Sequence, residues 1–294
     1  MIIVESASIT DKGKIRKANE DALILEDALG LYVVADGMGG HRAGDIASRL
    51  VVETIGDYIR KSTDNDHCAQ NADFDKTLSL EANRLLGSIR MSNQVVHEAS
   101  LGNSSCRGMG STVSAIFFTD STLIAANVGD SPIYLIRDGK IKLLSVPHTL
   151  LAEQRALNPE NAEKLGTQFR HVLTRAVGTD QSVNADIYEI QCFRDDILVI
   201  SSDGLNDKVS AEEIIELVHN NGPDAACRKL VELANDRGGE DNITVIVIKV
   251  QLVKNSQHKI NRILALVKRN SVRILTRIKF NLTIKYPRAA RCRT

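Results

Sequence analysis

Four acidic clusters constrain the fold of this chain most strongly, because they are alike in composition and far apart in sequence. Each lies beside glycine or asparagine. The four are Asn19-Glu20-Asp21, Asp36-Gly37-Met38-Gly39-Gly40, Ser201-Ser202-Asp203-Gly204 and Gly238-Gly239-Glu240-Asp241-Asn242. Carboxylates gathered in one place repel each other unless cations lie between them, and hard oxygen ligands favour Mg²⁺ or Mn²⁺. The sequence therefore predicts a fold that brings these clusters to one metal site.

Two of the clusters follow continuous apolar runs. Residues 31–35 precede Asp36-Gly37, and residues 196–201 precede Asp203-Gly204. Short apolar runs of this kind predict buried strands. Glycine allows a sharp turn, after which a ligand residue can present its backbone carbonyl as well as its carboxylate. We expect each strand to deliver a carboxylate at its end.

The remaining pattern predicts a layered α+β protein. Further strands are predicted for residues 111–119, 122–128, 133–137 and 243–250, with hairpin turns at Asp120-Ser121 and Asp138-Gly139. Helical periodicity predicts helices over residues 43–59, 73–100, 210–220 and 223–236, the third with a Ser210–Glu213 capping box. Residues 61–72 are polar and are predicted to form a loop. Hairpins beside long helices favour antiparallel sheets covered by helices.

Composition is typical of a soluble globular protein. The 294 residues are 43% hydrophobic and 25% charged, which is enough to bury a core. No stretch approaches the roughly 18 apolar residues of a spanning helix, and the N-terminus lacks a signal-peptide pattern. We therefore expect a cytoplasmic protein.

The cysteines do not indicate a disulfide framework or a zinc site. There are five, an odd number, and no pair has Cys-x-x-Cys spacing. Cys106 could be the nucleophile of a cysteine-dependent phosphatase, but such a site needs an arginine six residues later, where Thr112 stands. We interpret the cysteines as ordinary thiols.

Six short motifs carry a resemblance to a known family. They are Arg16-Lys17-Ala18-Asn19-Glu20-Asp21, Val33-Val34-Ala35-Asp36-Gly37-Met38-Gly39-Gly40, Asn127-Val128-Gly129-Asp130-Ser131, Leu173-Thr174-Arg175-Ala176-Val177-Gly178, Ser202-Asp203-Gly204 and Asp241-Asn242-Ile243-Thr244. In this order they resemble the motifs of type 2C protein phosphatases, the metal-dependent serine/threonine phosphatases, over about residues 5–250. Asp-Gly pairs are common in turns, so the resemblance depends on all six together.

The resemblance implies a fold and a metal centre. The fold is a four-layer α-β-β-α sandwich with two central antiparallel sheets, formed by a catalytic domain of residues 1–250. The centre holds two Mn²⁺ or Mg²⁺ ions, and a third ion binds more weakly. The implied ligands are Asp36 as the bridge, the Gly37 carbonyl, Asp203 and Asp241, with Glu20 and Asp21 acting through waters and Asp130 at the third ion.

The resemblance also implies an activity. Arg16 is the candidate phosphate-binding residue, because a guanidinium donates two parallel hydrogen bonds and stays charged. The predicted reaction is hydrolysis of phosphoserine and phosphothreonine in proteins, reversing a bacterial serine/threonine kinase. The alternative is a catalytically silent module of the same fold that binds phosphoproteins. Its signature would be lost metal ligands, and the sequence retains them all.

Several positions depart from the family pattern or have simpler interpretations. Met38 stands where animal members tend to carry a histidine and bacterial members a methionine, which indicates the bacterial type. Pro132 replaces the arginine that usually follows Gly-Asp-Ser. His148 lacks the usual preceding aspartate and is interpreted as structural, and His41 as a surface residue at a helix start. The Gly37–Gly40 loop could cradle a nucleotide phosphate, but neither standard nucleotide-binding glycine pattern is present.

The C-terminal segment 251–294 differs sharply from the rest. All 37 acidic residues precede it, whereas it contains 12 of the 37 basic ones. Residues 260–278 place apolar side chains on one helical face and arginines opposite, and residues 278–286 alternate as a strand would. This basic extension could pack against the acidic domain or be partly disordered, attach to an anionic inner membrane surface, or bind a protein partner. Nucleic acid is the least favoured ligand.

Overall fold

Two antiparallel sheets form the centre of the computed structural model, which describes residues 2–39, 43–64, 74–120, 122–160, 162 and 169–253. In spatial order, the first sheet consists of β1 (Ile2–Asp11), β11 (Ile243–Val253), β10 (Ile197–Ser201), β7 (Ile133–Arg137) and β8 (Lys140–Leu143). The second consists of β2 (Asp21–Glu26), β3 (Leu31–Met38), β5 (Val113–Phe118), β6 (Thr122–Val128) and β9 (Asp186–Gln191), and the short β4 (Gly110–Ser111) pairs with the end of β3.

Helices cover the outer face of each sheet. The second sheet packs against α1 (Ala43–Asp64) and α2 (Leu80–Gly102), and the first against α5 (Ala211–Asn220) and α6 (Pro223–Asp236). Two short helices, α3 (Leu150–Leu157) and α4 (Asp203–Asn206), lie in connections. The predicted four-layer α-β-β-α sandwich is confirmed. None of the described helices is both long enough and apolar enough to cross a membrane.

The continuous apolar runs follow from these layers, because the central strands are buried on both faces. In β3, Leu31, Val33 and Ala35 pack against helices α1 and α2. Tyr32 and Val34 of the same strand point between the sheets, and the Tyr32 ring meets Phe118 edge to face. Strand β10 is buried in the same way. Its Leu198 and Ile200 lie between the sheets, and Ile197 and Val199 pack against α5 and α6. These strands show no alternation of apolar and polar residues, because neither face of the strand is exposed to water.

Some predicted boundaries were wrong. The helix predicted from residue 73 begins at Leu80, because the Ser79 hydroxyl caps it by accepting the Ala82 N–H. Helix α1 continues to Asp64, so the loop predicted from residue 61 starts too early. The strand predicted over 111–119 is divided at Thr112. The last strand runs to Val253 rather than 250. The Ser210–Glu213 capping box is confirmed.

Six of the elements named above were not predicted. They are β1, β2, β8, β9, α3 and α4. Most of their residues are only partly buried, so they lack the long apolar runs on which the strand predictions depended. The extension beyond residue 253, the predicted loop from 65 to 72, and His41 lie outside the described residues.

The inter-sheet core sets the stability of this scaffold. We expect Leu198→Ala to lower the free energy of unfolding by about 2–5 kcal/mol, because it leaves a cavity between the sheets. Leu252→Ala is the matched control, since Leu252 is 36% exposed near the end of β11. Denaturant unfolding of both variants would measure the difference. Equal losses would contradict the placement of the core.

Candidate metal centre

The acidic residues singled out from the sequence meet at one end of the two sheets. Asp21 and Asp36 are opposite each other in β2 and β3. Asp203 begins α4 just after β10, and Asp241 lies just before β11, which pairs with β10. An open cavity of about 910 Å³ is lined by Arg16, Glu20, Asp36, Gly37, Asp130, Asp203 and Asp241, among others. Of the predicted site residues, Asp21 alone is absent from this lining.

Asp36 is held by its backbone at the end of β3. Its N–H donates to the Thr112 hydroxyl at 3.0 Å, and its carbonyl accepts the Thr112 N–H at 2.8 Å. Loss of hydration raises the pKa of Asp36 well above its usual range, and the nearby carboxylates of Asp21, Asp203, Asp130 and Asp241 raise it further. The protein therefore places this carboxylate where a negative charge is unfavourable without a cation.

Asp21 is paired opposite Asp36 but does not line the cavity. It is 8% exposed, and its Oδ2 accepts hydrogen bonds from Ser202 at 2.8 Å and Thr244 at 2.6 Å. Burial raises its pKa to about 7 despite these two bonds, and Asp203 and Asp241 add to the shift. No hydrogen-bond donor among the described residues reaches the buried Oδ1. Asp21 thus links the acidic cluster to the strands behind it.

The donor set fits divalent cations. The buried Asp203 Oδ1, like Asp21 Oδ1, has no hydrogen-bond donor within the described ranges. A buried carboxylate oxygen without a donor is costly, and the cost is removed when a cation binds it. Burial also raises the pKa of Asp130 to about 7, and Asp203 contributes. Clustered carboxylate oxygens are ligands that Mg²⁺ and Mn²⁺ prefer.

Gly37 is required for close packing rather than for a turn. It lies within β3, and it is not among the residues with positive φ. A Cβ at this position would come within 2.1 Å of the Gly44 carbonyl oxygen in α1 and 2.6 Å of the Glu20 carbonyl oxygen. The Gly37 N–H donates to that Glu20 carbonyl at 3.1 Å. The sequence-based reason for this glycine was wrong, although its place at the cavity was predicted.

Arg16 lies at the rim of the cavity. The loop before it is anchored where the Lys14 N–H donates to the Gly239 carbonyl at 2.8 Å. Gly239 has φ of +55°, a left-handed conformation that favours glycine. The Arg16 side chain is 53% exposed, and its Nη2 donates to Asp241 Oδ2 at 2.6 Å. Asp241 is the one acceptor for this guanidinium among the described residues, so its remaining N–H groups can meet an anion in the cavity.

Glu20 is fixed through its backbone by Asn242. The Asn242 Oδ1 accepts the Glu20 N–H at 2.8 Å, while its Nδ2 donates to the carbonyls of Lys12 and Ala18 at 2.9 and 3.0 Å. One amide therefore joins the start of β11 to the chain on both sides of Arg16. Burial raises the pKa of the Glu20 carboxyl, although Arg16 opposes that shift.

His171 is a cavity residue that the sequence analysis missed. Its Nδ1 lies 3.1 Å from Asp203 Oδ2 and 4.0 Å from Asp130 Oδ2, and its Nε2 lies 3.2 Å from Asp207 Oδ2. The hydrogen bond to Asp203 raises the pKa of His171, although partial burial opposes the shift. Its position two residues before the Leu173–Gly178 motif was the available signal.

His148 is fully buried and does not line the cavity. Its Nδ1 accepts the Gly129 N–H at 3.1 Å, and its Nε2 lies 3.2 Å from Asp186 Oδ2, so Nε2 carries the proton. Its backbone N–H donates to the Gly129 carbonyl at 2.9 Å. Pro147, which stands where the family usually has the aspartate before this histidine, therefore does not prevent local hydrogen bonding. His148 fixes the turn that presents Asp130.

Repulsion between the carboxylates makes stability depend on metal. We expect metal-free Asp36→Asn to be at least as stable as the unaltered protein, because one buried charge is removed. Mn²⁺ at about one hundred times its Kd should stabilise the unaltered protein by about 2.7 kcal/mol and the variant far less. Thermal unfolding with and without Mn²⁺ measures both effects. Asp138→Asn, in an exposed turn, is the control. If Mn²⁺ stabilised Asp36→Asn as much as the unaltered protein, the assignment of Asp36 to the metal site would be contradicted.

Comparison with known proteins identifies the family. Residues 16–244 match the model of the family described as Protein phosphatase 2C. The serine/threonine phosphatase stp of Listeria monocytogenes is 30% identical over 253 residues, which cover 84% of this chain and 96% of the Listeria protein.

Solved structures agree with the sequence comparison. The serine/threonine phosphatase PstP/Ppp of Mycobacterium tuberculosis superposes with a TM-score of 0.73 at 29% identity, covering 85% of this chain and all of that one. A PstP catalytic domain in complex with two manganese ions superposes with a TM-score of 0.71 at 29% identity, covering 86% of this chain and all of that one. The chain therefore belongs to the protein phosphatase 2C family.

Proposed function

We propose that this protein hydrolyses phosphoserine and phosphothreonine in proteins, with Mn²⁺ or Mg²⁺ as cofactor. The observation that carries the proposal is the convergence of Asp36, Asp130, Asp203 and Asp241 with Arg16 around one open cavity. The relative from Listeria is named a serine/threonine phosphatase, and the PstP structure contains two manganese ions. Both facts support the same reaction and cofactor.

The cavity residues have distinct proposed roles. Asp36, the Gly37 carbonyl, Asp203 and Asp241 would hold two ions, Glu20 and Asp21 would act through waters, and Asp130 would hold a third ion. When bound, the two ions lower the pKa of a coordinated water and neutralise charge on the phosphoryl group. Thr112 and Asn242 keep the backbone of the ligand residues in place through the hydrogen bonds described above.

Arg16 orients the phosphate in this proposal. Asp241 occupies only part of its guanidinium, which carries five N–H donors in a planar fork. Phosphate oxygens entering the open cavity would meet the remaining donors, and the Asp241 bond limits the positions that the fork can adopt. Arg16 thus binds and aligns the substrate, while the carboxylates hold the ions.

A silent phosphoprotein-binding module is the second candidate. Such a module would tolerate loss of the acidic ligands, yet the full set is present and lies together. Two buried carboxylate oxygens without donors would be an unfavourable feature in a domain that binds no metal. Retention of this costly arrangement favours the enzyme.

Hydrolysis and its metal dependence test the proposal. The purified protein should hydrolyse an aryl phosphate and a phosphothreonine peptide with Mn²⁺ and stop when chelator is added. Asp203→Ala should nearly abolish turnover. Arg16→Ala should lower kcat/KM about 10- to 100-fold, because it removes charge-assisted bonds worth about 1.5–3 kcal/mol each. Asp138→Ala serves as the control; turnover that persists in chelator would refute the mechanism.

The partners and cellular position are a separate proposal. Substrates are phosphoproteins, and we propose that they include a cognate serine/threonine kinase and the proteins it phosphorylates. We further propose a cytoplasmic location with attachment to anionic membrane through the basic extension. Its 12 basic and no acidic residues support this, since each basic residue near an anionic surface contributes about 1 kcal/mol.

Deleting the extension separates targeting from catalysis. A chain ending at Val253 retains all of β11, and all the proposed ligands lie before that point. We expect unchanged hydrolysis of a small aryl phosphate but loss of co-sedimentation with anionic vesicles. Binding of the full chain should weaken with salt, because screening shortens electrostatic reach to about 8 Å at physiological ionic strength. Equal binding to neutral vesicles would contradict attachment by charge, and a large loss of activity would favour packing against the catalytic domain.

A further inference from the structure

Lys208 is a second permanently charged cation in the wall of the catalytic cavity. The cavity that contains the acidic ligands is lined by Lys208 as well as by Arg16. Lys208 lies just after α4, and its side chain is 23% exposed, so it follows the cavity wall instead of extending into solvent. The proposed hydrolysis gives roles to Arg16 and the carboxylates but leaves this ammonium group without one.

The backbone of Lys208 is fixed on both sides. Its N–H donates to the Leu205 carbonyl at 3.0 Å, and its carbonyl accepts a hydrogen bond from Arg237 Nη1 at 2.6 Å. The Arg237 guanidinium is in turn held by both carboxylate oxygens of Glu213, at 2.7 and 2.5 Å. Paired bonds of this kind fix the plane of a guanidinium. The lysine side chain therefore starts from a fixed point beside the cavity.

The ammonium group of Lys208 is held by the residue that precedes a proposed metal ligand. Its Nζ forms an ion pair with Glu240 Oε2. The next residue, Asp241, accepts a hydrogen bond from Arg16 Nη2 at 2.6 Å. Two consecutive residues thus hold the two cations on the same wall. Glu240 is the one partner that the described residues give this ammonium, which carries three N–H donors.

The ion pair between Lys208 and Glu240 is exchangeable. Glu240 is 57% exposed, and exposed ion pairs stabilise a protein little because water solvates both partners well. An anion entering the cavity can therefore share the ammonium or replace Glu240. The cavity volume of about 910 Å³ lies near the upper end of the roughly 300–1,000 Å³ of small-molecule pockets. It has room for a phosphorylated side chain and a neighbouring one.

We propose that Lys208 forms an anion subsite beside the phosphate position, which binds a carboxylate or a second phosphate on a residue close to the phosphoserine or phosphothreonine of the substrate. The proposal rests on the proposed function, in which Arg16 binds the phosphate that is hydrolysed. The favoured substrates are phosphoproteins whose phosphorylated segment carries a further negative charge. Glu240 holds the ammonium in place until that charge arrives.

A basic neighbouring residue does not fit the same wall. Arg16 and Lys208 would both repel it, and in the proposed function the nearby ligand carboxylates are neutralised by metal ions. Glu240 is the remaining negative group there, and it already has a cationic partner. Charge on the residues beside the phosphate should therefore affect binding in one direction.

Hydrolysis of matched phosphothreonine peptides tests the subsite. The full chain with Mn²⁺ is assayed on peptides that differ only in one residue near the phosphothreonine. That residue is glutamate, glutamine or a phosphonate analogue of phosphoserine, placed in turn at several positions on either side. At the best position, kcat/KM should exceed that of the glutamine peptide about 3- to 10-fold, as expected for one charge-assisted hydrogen bond at a partly exposed site. The glutamate and phosphonate peptides distinguish a carboxylate from a second phosphate as the preferred anion.

Substitutions of the two ion-pair partners should shift this preference in opposite directions. Lys208→Gln should lower the ratio of kcat/KM between the acidic and glutamine peptides to about one. Glu240→Gln should raise the ratio, because the ammonium loses its competing partner. Each ratio is taken within one variant, so a general change in the metal centre cancels. A purely structural ion pair would instead give the same change in both variants.

Lys14→Gln is the matched control. Lys14 also belongs to an exposed ion pair, with its Nζ 3.7 Å from Asp236 Oδ1, but it does not line the cavity. This variant should keep the ratio of the unaltered protein. Loss of the preference in Lys14→Gln as well as in Lys208→Gln would show an effect of net charge alone and overturn the subsite.

The outcomes separate this inference from the proposed function. Equal rates on the acidic and glutamine peptides at every position, or a ratio retained in Lys208→Gln, overturn the inference even if aryl phosphate is hydrolysed. A protein that hydrolyses no phosphate ester refutes the proposed function. Fluorescence anisotropy with the same labelled peptides then decides the subsite: tighter binding of the acidic peptide that depends on Lys208 sustains it, and equal binding overturns it.

Discussion

Mutual repulsion among carboxylates is the constraint on which this structure depends. Asp21, Asp36 and Asp130 are held where burial and like charge both raise their pKa values. Such an arrangement is unfavourable in the folded, metal-free chain, so other interactions must keep the chain from separating these groups. The inter-sheet core and the two helix-facing cores supply that stability, because the central strands bury side chains on both faces.

The polar residues beside the carboxylates explain how the site keeps its shape. Asn242 joins three backbone segments through one amide, Thr112 fixes the backbone of Asp36, and Ser202 donates to Asp21. These side chains are essential to the shape of the site even without contacting a metal. Their hydrogen bonds are strong because they lie in surroundings of low dielectric, where an unmade bond is costly. Two of the acidic clusters therefore pair a candidate ligand residue with a neighbour that holds an adjacent strand, Asp203 with Ser202 and Asp241 with Asn242.

Much of this could be predicted from the sequence, and the failures have physical causes. Strands β3 and β10 were predictable because burial on both faces leaves an uninterrupted apolar run. Strands β1 and β2 carry partly exposed residues and were missed, although β1 pairs along the whole of β11. The convergence of the acidic clusters was predicted because repulsion demands a common cation. The contact of His171 with Asp203 depends on the path of the chain from residue 169 to 175, and no local pattern specifies that path.

The close approach of β3 to α1 shows that the site depends on glycines, which have no side chain, as well as on charged residues. Gly37 and Gly44 face each other so closely that a Cβ on Gly37 would lie 2.1 Å from the Gly44 carbonyl oxygen, and a Cβ on Gly44 would lie 2.3 Å from Glu20 Oε2. This contact places the Glu20 carboxylate against the first turn of α1, where the helix dipole favours a negative charge. A side chain at either position would separate helix and strand and move both Glu20 and the Gly37 carbonyl. Gly37 and Gly44 thus determine where the Glu20 carboxylate and the Gly37 carbonyl of the candidate site lie.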